Sequence, residues 1–136
     1  FRFSMKNYID KLAYIYIQDK KILMSLSKGK STWYIPGGKR ENGESDAEAL
    51  FREIEEELSV KLLPENLKRY GVFEAQAHGH PMGTVVRMTC YTAEFTGKLK
   101  ASSEIEKLEF FPYSRRSESS FVDHLIFDDL KNKGLL

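Results

Sequence analysis

Apolar and polar residues are arranged near the start of the chain in a way that predicts a β-hairpin. Residues 11–17 and 21–26 are rich in aliphatic, aromatic and β-branched side chains, and the polar residues 18–20 separate them. Short runs of this composition around a polar connection are typical of paired antiparallel strands. Residues 33–38 predict a further short strand, which stops at a Pro-Gly-Gly bend.

The clearest predicted element is a helix over residues 45–58. Ser45 and Glu48 have the spacing of a capping box, and Asp46 adds negative charge to the first turn. Ser59 ends the predicted helix. The apolar residues of this segment recur at helical spacing and predict one core-facing stripe, which consists of Ala47, Leu50, Phe51, Ile54 and Leu58.

The remaining segments predict more strands and a second helix. Strand patterns cover residues 70–77, 84–95 and 105–111, and apolar residues recur at helical spacing over 121–131. The order of strands, helix, strands, helix predicts a mixed α+β or α/β/α architecture. The length of 136 residues fits a single domain over residues 1–136.

The composition is that of an ordinary globular protein and excludes some classes of partner. The chain has 41% apolar and 30% charged residues and a net charge of +1, so it offers no broad basic field for an extended nucleic acid. An anionic substrate therefore has to be held locally, by a metal ion or by a few placed cations. No apolar run approaches the roughly 20 residues that span a membrane, and the N-terminus lacks the apolar core of a signal peptide.

Cys90 is the only cysteine, which excludes an internal disulfide and fits a reducing compartment. We therefore expect a cytoplasmic protein. Because Cys90 lies in a predicted strand without an electropositive setting, a buried inert thiol is favoured over a nucleophile. Met5 and an upstream position are both open as the native start.

Three glutamates of the predicted helix share one face. Glu56 and Glu57 follow Glu53 by three and four residues, so their carboxylates are neighbours of the Glu53 carboxylate, away from the apolar stripe. Like charges at this spacing repel, and a hard divalent cation such as Mg²⁺ or Mn²⁺ neutralises them. The alternative is an acidic helix face in contact with solvent.

Residues that flank the glutamates favour the metal site over the solvated face. Gly37 and Gly38 bring bare backbone carbonyls close to the helix, where one can serve as an extra metal ligand. Arg52 lies beside Glu53 and can pair with Glu44, which would hold a carboxylate in place.

Residues 38–60 resemble the Nudix box. The pattern of that family is Gly, five residues, Glu, seven residues, then Arg-Glu-apolar-any-Glu-Glu-any-Gly-apolar. The residues that match in register are Gly38, Glu44, Arg52, Glu53, Ile54, Glu56, Glu57 and Val60. One position departs, because Ser59 stands at the final Gly of the pattern. The strand pattern over residues 11–111 is also similar to Nudix domains, so the resemblance covers most of the chain.

The resemblance implies a mixed β-sheet sandwiched between helices and a metal-dependent pyrophosphohydrolase. The implied substrate is a nucleoside diphosphate linked to another group, such as a nucleoside triphosphate or ADP-ribose, which water attacks at phosphorus. The implied ligands of Mg²⁺ or Mn²⁺ are Glu53, Glu56 and Glu57, helped by the carbonyl of Gly37 or Gly38.

The resemblance also implies roles for residues around the metal. Glu44 and Arg52 would orient the metal ligands. Glu53 is the first candidate for the general base, and Glu104 and Glu106, just before a predicted strand, are the distal candidates. An ordinary charged loop is the alternative for both distal residues.

Candidate substrate contacts lie outside the box. Arg87 on the predicted strand 84–95 can reach a phosphate, with an exposed strand residue as the alternative. Trp33 can stack on a base, with core packing as the alternative. His78 and His80 lie in a loop without further ligands at zinc spacing, so we expect no zinc site.

Two other functions use the same fold. A nucleotide-binding or regulatory module would not hydrolyse its ligand, but this chain keeps every box carboxylate, which favours catalysis. An isoprenoid diphosphate isomerase would need a catalytic cysteine, for which the strand residue Cys90 gives poor support. The sequence does not select among nucleoside diphosphate derivatives, and a homodimer is left open.

Overall fold

Nine strands and two α-helices form the part of the chain that the computed structural model describes, residues 7–136. Met5 lies outside the described residues. The strands are β1 (Asn7–Tyr14), β2 (Ile17–Gln18), β3 (Lys21–Ser27), β4 (Gly37–Lys39), β5 (Lys61–Leu62), β6 (Lys68–Gln76), β7 (Thr84–Thr92), β8 (Phe95–Thr96) and β9 (Ile105–Phe111). The helices are α1 (Asp46–Leu58) and α2 (Phe121–Asn132), with short 3₁₀ helices at Pro64–Asn66 and Tyr113–Glu118.

The first strand lies inside a mixed four-stranded sheet of order β4-β1-β7-β6. β1 runs parallel to β7, whereas the pairs β1–β4 and β6–β7 are antiparallel. A second, antiparallel sheet has the order β2-β3-β9, and β5 pairs with β8. Within residues 7–136 no helix is long and apolar enough to cross a lipid bilayer.

The alternation of side chains along β1 supplies two cores, one on each side of the sheet. Leu12 and Tyr14 belong to the cluster that includes the apolar buried residues of α1, whereas Ala13, and Ile15 just after the strand, belong to the cluster that includes those of α2. Successive side chains of a strand point to opposite faces, so one central strand packs against both helices. The predicted α+β fold with a mixed sheet between helices is confirmed.

Several predicted strands have different bounds in the structure. The predicted strand 11–17 divides into β1, which pairs with β4 and β7 rather than with β3, and β2, which alone forms the hairpin with β3. In place of a strand over residues 33–38, β4 begins at Gly37, because Pro36 has no N–H to donate to a ladder. The predicted strand 84–95 ends at Thr92, and the chain resumes pairing as the separate strand β8. Before β4, Trp33 and Tyr34 form only isolated bridges, with Ser119 and Ser25.

Candidate active site

The first turn of α1 is anchored by side-chain hydrogen bonds. Ser45 Oγ accepts from the backbone N–H of Glu48 at 3.1 Å, and Glu48 Oε1 accepts from the N–H of Ser45 at 2.9 Å, which confirms the predicted capping box. Asp46 accepts from the hydroxyl of Tyr91 at 2.5 Å and pairs with Arg40 at 2.6 Å. These contacts fix the helix start against β7.

The apolar stripe of α1 determines which way its glutamates face. Leu50, Ile54 and Leu58 are fully buried against the sheet. With that face committed to the core, Glu53 and Glu57 turn towards β4 and line one cavity with its two glycines.

Gly37 and Gly38 stand where no side chain fits. Gly37 has a φ of +149°, and a Cβ there would overlap the backbone of Leu12 on β1. A Cβ on Gly38 would overlap the carboxylate of Glu53. The two glycines therefore allow β4 to approach α1 closely enough for backbone and carboxylate to share one site.

Glu57 is a buried carboxylate with one backbone hydrogen bond. Glu57 is 5% exposed, and its Oε1 accepts a hydrogen bond from the N–H of Gly37 at 3.1 Å. Burial raises the pKa of Glu57 to about 9, and the nearby carboxylates of Glu53 and Glu104 act in the same direction. A bound cation would offset both causes of that shift.

Arg52 ties the acidic residues to one another. Its Nε and Nη2 donate to the two carboxylate oxygens of Glu44 at 2.7 and 2.8 Å, and its Nη1 donates to Glu53 at 2.9 Å. The bond from the Arg52 guanidinium holds the pKa of Glu44 down at about 2. Arg52 thereby holds Glu53 in one orientation. This contact is the one expected if Glu44 and Arg52 orient a metal ligand.

Glu104 reaches the same cavity from the turn before β9, whereas Glu56 and Glu106 do not line it. The hydroxyl of Ser103 lowers the pKa of Glu104, so this carboxylate is ionised near the buried ones. The Glu56 side chain is 51% exposed and lies 3.6 Å from Arg52. The structure thus brings one distal carboxylate to the site and leaves the other on the surface.

The cavity opens between the two main sheets and has a volume of about 370 Å³. β1 contributes Lys11, β4 contributes its glycines, and β3 contributes Ser25 and Ser27. A cavity of this volume, lined by apolar surface and a few convergent charged groups, is typical of a small-molecule site.

The donor set fits a hard divalent cation in its chemistry. Carboxylate and backbone carbonyl oxygens are the ligands that Mg²⁺ and Mn²⁺ prefer, and the buried Glu57 needs a positive partner in order to ionise. Among residues 7–136 no three acidic, histidine or cysteine side chains already stand together as a ligand set. Arg52 engages the carboxylate of Glu53, and Glu56 faces solvent. The ligand set Glu53, Glu56 and Glu57, with Gly37 or Gly38, stays a prediction.

The structure does not bring Arg87 or Trp33 to this cavity. Arg87 donates to Glu74 at 2.5 Å, and its guanidinium carbon lies 4.3 Å from the ring centroid of Tyr8. Trp33 is 7% exposed and packs against the ring of Phe111 with centroids 5.0 Å apart. These positions match the alternatives of an exposed strand residue and a core residue, and the substrate roles of both stay predictions.

The sequence pattern did not single out Lys11 or Tyr34, which both line the cavity. Lys11 does not stand out in the sequence, because Asn7 and the adjacent Asp10 are also polar residues of β1, and only the sheet order places it at the cavity. Cys90 is fully buried, which confirms the expected burial of this residue, and burial raises the pKa of its thiol.

Comparison with known proteins identifies the family of the chain that carries this site. A family model described as the NUDIX domain matches residues 11–122. The chain belongs to the NUDIX domain family. Together with curated relatives named as Nudix hydrolase and pyrophosphatase, this match shows a hydrolase that acts on phosphorus-containing anhydrides. Nudix hydrolases generally use divalent metals.

Two curated relatives are similar over most of this Nudix chain. The Nudix hydrolase YvcI of Bacillus subtilis (strain 168) is 28% identical over 121 residues, which are 87% of this chain and 77% of that protein. The ADP-ribose pyrophosphatase of Methanocaldococcus jannaschii is 31% identical over 115 residues, which are 82% of this chain. The chain spans 66% of the length of that second relative.

Solved structures share the fold at lower identity. The MutT protein of Methanosarcina mazei Go1 has a TM-score of 0.74 at 18% identity, covering 95% of this chain and 96% of that one. The E. coli ORF135 protein has a TM-score of 0.71 at 23% identity, covering 93% and 92% of the two chains.

Proposed function

We propose that this Nudix domain is a metal-dependent pyrophosphohydrolase that cleaves the diphosphate linkage of a nucleoside diphosphate joined to another group. The observation that carries the proposal is the buried carboxylate of Glu57 beside Glu53, at β4, in a cavity of about 370 Å³. Buried acidic groups of this kind are retained at functional sites, because they are costly for folding unless a ligand neutralises them.

The metal ligands come from α1 and β4 in this proposal. Glu53, Glu56 and Glu57, with the carbonyl of Gly37 or Gly38, hold Mg²⁺ or Mn²⁺. When bound, the ion supplies positive charge at the diphosphate and lowers the pKa of water. The exposed side chain of Glu56 is free to turn, since its contact with Arg52 is long, at 3.6 Å.

The proton of the attacking water goes to a carboxylate of the cavity. Glu53 is our first candidate for this general base, because burial raises its pKa and thus its basicity. Arg52 and Glu44 hold its carboxylate in position. Glu104 is the distal candidate, since it lines the same cavity.

Similarity to a relative of known name suggests what the second group of the substrate is. ADP-ribose is one candidate, because a relative with 31% identity is an ADP-ribose pyrophosphatase. Nucleoside triphosphates remain the other main class.

We further propose one Nudix domain over residues 1–136 and a cytoplasmic location, which the single buried cysteine supports. A homodimer stays an open alternative.

The test is a phosphate-release screen with Mg²⁺ or Mn²⁺ on nucleoside triphosphates, ADP-ribose, sugar nucleotides and dinucleoside polyphosphates. We expect Glu53→Gln and Glu57→Gln to lose at least about 100-fold in kcat, because each removes a charged metal ligand. Glu55→Gln is the matched control, since Glu55 is an exposed glutamate of the same helix outside the cavity. It should retain wild-type kcat.

Turnover that disappears with Glu53 and Glu57 but survives in the control would support both the reaction and the site. Absence of turnover on every substrate, with metal bound and the fold intact, would overturn the enzyme and favour a nucleotide-sensing module. Equal loss in all three variants would refute the assignment of the metal ligands.

A further inference from the structure

A second cavity lies next to the cavity that Glu53 and Glu57 line. It has a volume of about 90 Å³, and Lys11, Tyr34 and Met88 line both cavities. The two cavities therefore adjoin, and together they are called the groove, with Glu53 and Glu57 in the first part and His78 and Ser120 in the second. Lys11 is the cation at their junction.

The sheet places Lys11 at this junction. Its strand β1 has neighbours on both sides, and Lys11 lies opposite Lys39 of β4 and Met88 of β7. A lysine at an interior position of a central strand loses much of its hydration, whereas most lysines lie on the surface. Its ammonium nitrogen is 5.5 Å from the ring centroid of Tyr34, which keeps the side chain over the groove.

The charge of Lys11 has no direct partner within residues 7–136, because none of the ion pairs formed there includes it. Burial lowers its pKa, Lys39 lowers it further, and the carboxylates of Asp123, Glu57 and Glu53 raise it from a distance. A partly buried ammonium without a bonded anion is suited to receive one.

We propose that Lys11 binds a phosphate oxygen of the substrate at the junction and so directs the group beyond that phosphate into the second cavity. This proposal rests on the proposed function, since it assumes a diphosphate bound beside Glu53 and Glu57. A phosphate placed between the glutamate site and Tyr34 would meet the Lys11 ammonium, and an ammonium binds phosphate as a point charge. Lys11 is then a substrate-positioning residue.

The test compares Lys11→Met, which keeps the length and removes the charge, with Lys11→Arg, which keeps the charge. The control is Lys61→Met, because Lys61 is an exposed strand lysine that lines neither cavity. Two readouts apply: kcat and KM for the hydrolysed substrate, and the affinity for ADP by calorimetry without metal. Loss of a charge-assisted contact predicts about a tenfold rise in KM and in the ADP dissociation constant for Lys11→Met.

The kinetic parameter kcat should change less than about threefold, and Lys11→Arg should recover most of the affinity. Unchanged KM and ADP affinity in Lys11→Met would overturn the proposal and leave Lys11 as a counter-charge for the buried Asp123. Failure of the proposed function would give a different result. The wild-type protein would then bind ADP through Lys11 but would hydrolyse no substrate. A wild-type protein that binds no ADP would also overturn the proposal.

Discussion

At the scale of single residues, Arg52 controls the geometry of the acidic site. One edge of its guanidinium donates to both oxygens of Glu44, and its remaining terminal nitrogen donates to Glu53. The planar group has five N–H donors in a fixed arrangement, so it can serve two carboxylates at once. A lysine has the same charge but a single ammonium, which cannot span both.

We therefore expect Arg52→Lys to lower kcat by about 10- to 100-fold, since residues that orient metal ligands have effects of this size. The half-maximal metal concentration should rise as well, because Glu53 is no longer held. The matched control is Arg115→Lys, which removes a similar two-pronged contact to Glu118, at 2.8 Å for both bonds, outside the cavity. Equal activity of the two variants would contradict an orienting role for Arg52.

At the scale of elements, the exit from α1 carries the one departure from the Nudix box. Ser59 has φ 62° and ψ 25°, the left-handed conformation that favours glycine. A side chain in this region costs roughly 1–2 kcal/mol. The hydroxyl of Ser59 recovers part of it through a 3.1 Å contact with Ser102, which is exposed and hence weak.

Restoring the family's glycine should stabilise the fold. We expect Ser59→Gly to raise the free energy of unfolding by about 0.5–1 kcal/mol, because relief of the left-handed strain outweighs the added freedom of the unfolded chain. Denaturant unfolding measures the change. Ser59→Ala keeps the strain and loses the contact with Ser102, so it should be less stable than wild type; a stabilised alanine variant would contradict this explanation.

At the scale of the whole molecule, Asp123 connects α2 to the segment that leads into β4. Asp123 is fully buried, and its Oδ2 accepts from the N–H of Ile35 at 3.0 Å. Its Oδ1 has no partner within the described part of the chain. Burial raises the pKa of Asp123 to about 7. The domain therefore contains a carboxyl group whose charge destabilises the folded state at neutral pH.

This arrangement predicts a specific dependence of stability on pH. The folded pKa of Asp123 is raised, so its contribution to stability is largest below its unfolded pKa of 3.8 and is lost as the pH rises towards about 7. Relative to wild type, Asp123→Asn should therefore gain stability across that interval. Unfolding midpoints at a series of pH values test the difference between the two proteins.

A control on the same helix should show the opposite sign. The bond from the Arg116 guanidinium lowers the pKa of Asp128, so its contribution to stability is present above the unfolded pKa and lost in acid. Asp128→Asn should therefore lose stability relative to wild type as the pH rises from acid to neutral. A parallel pH response of the two variants would contradict the role of burial at Asp123.

The sequence by itself determined the helices, most strands, the Nudix box and the register of its glutamates. These features are local: the cap formed by Ser45 and Glu48 and the apolar stripe of α1 act over a few residues, so periodicity and spacing identify them. The box pattern likewise depends on positions within one helix and the turn before it. The bounds of the strand before the box were the exception, because the sequence pattern predicted a strand over residues 33–38, whereas β4 begins only at Gly37, after Pro36.

Only the tertiary structure decided which of these groups meet and how deeply they are buried. Glu57 and Glu56 are neighbours in sequence, yet one is buried under β4 and the other faces solvent. The entry of Lys11 and Glu104 into one cavity depends on strands from two different sheets. Strand alternation assigns a side chain to a face, but the residue opposite it is set by sheet order and register, which arise from long-range packing.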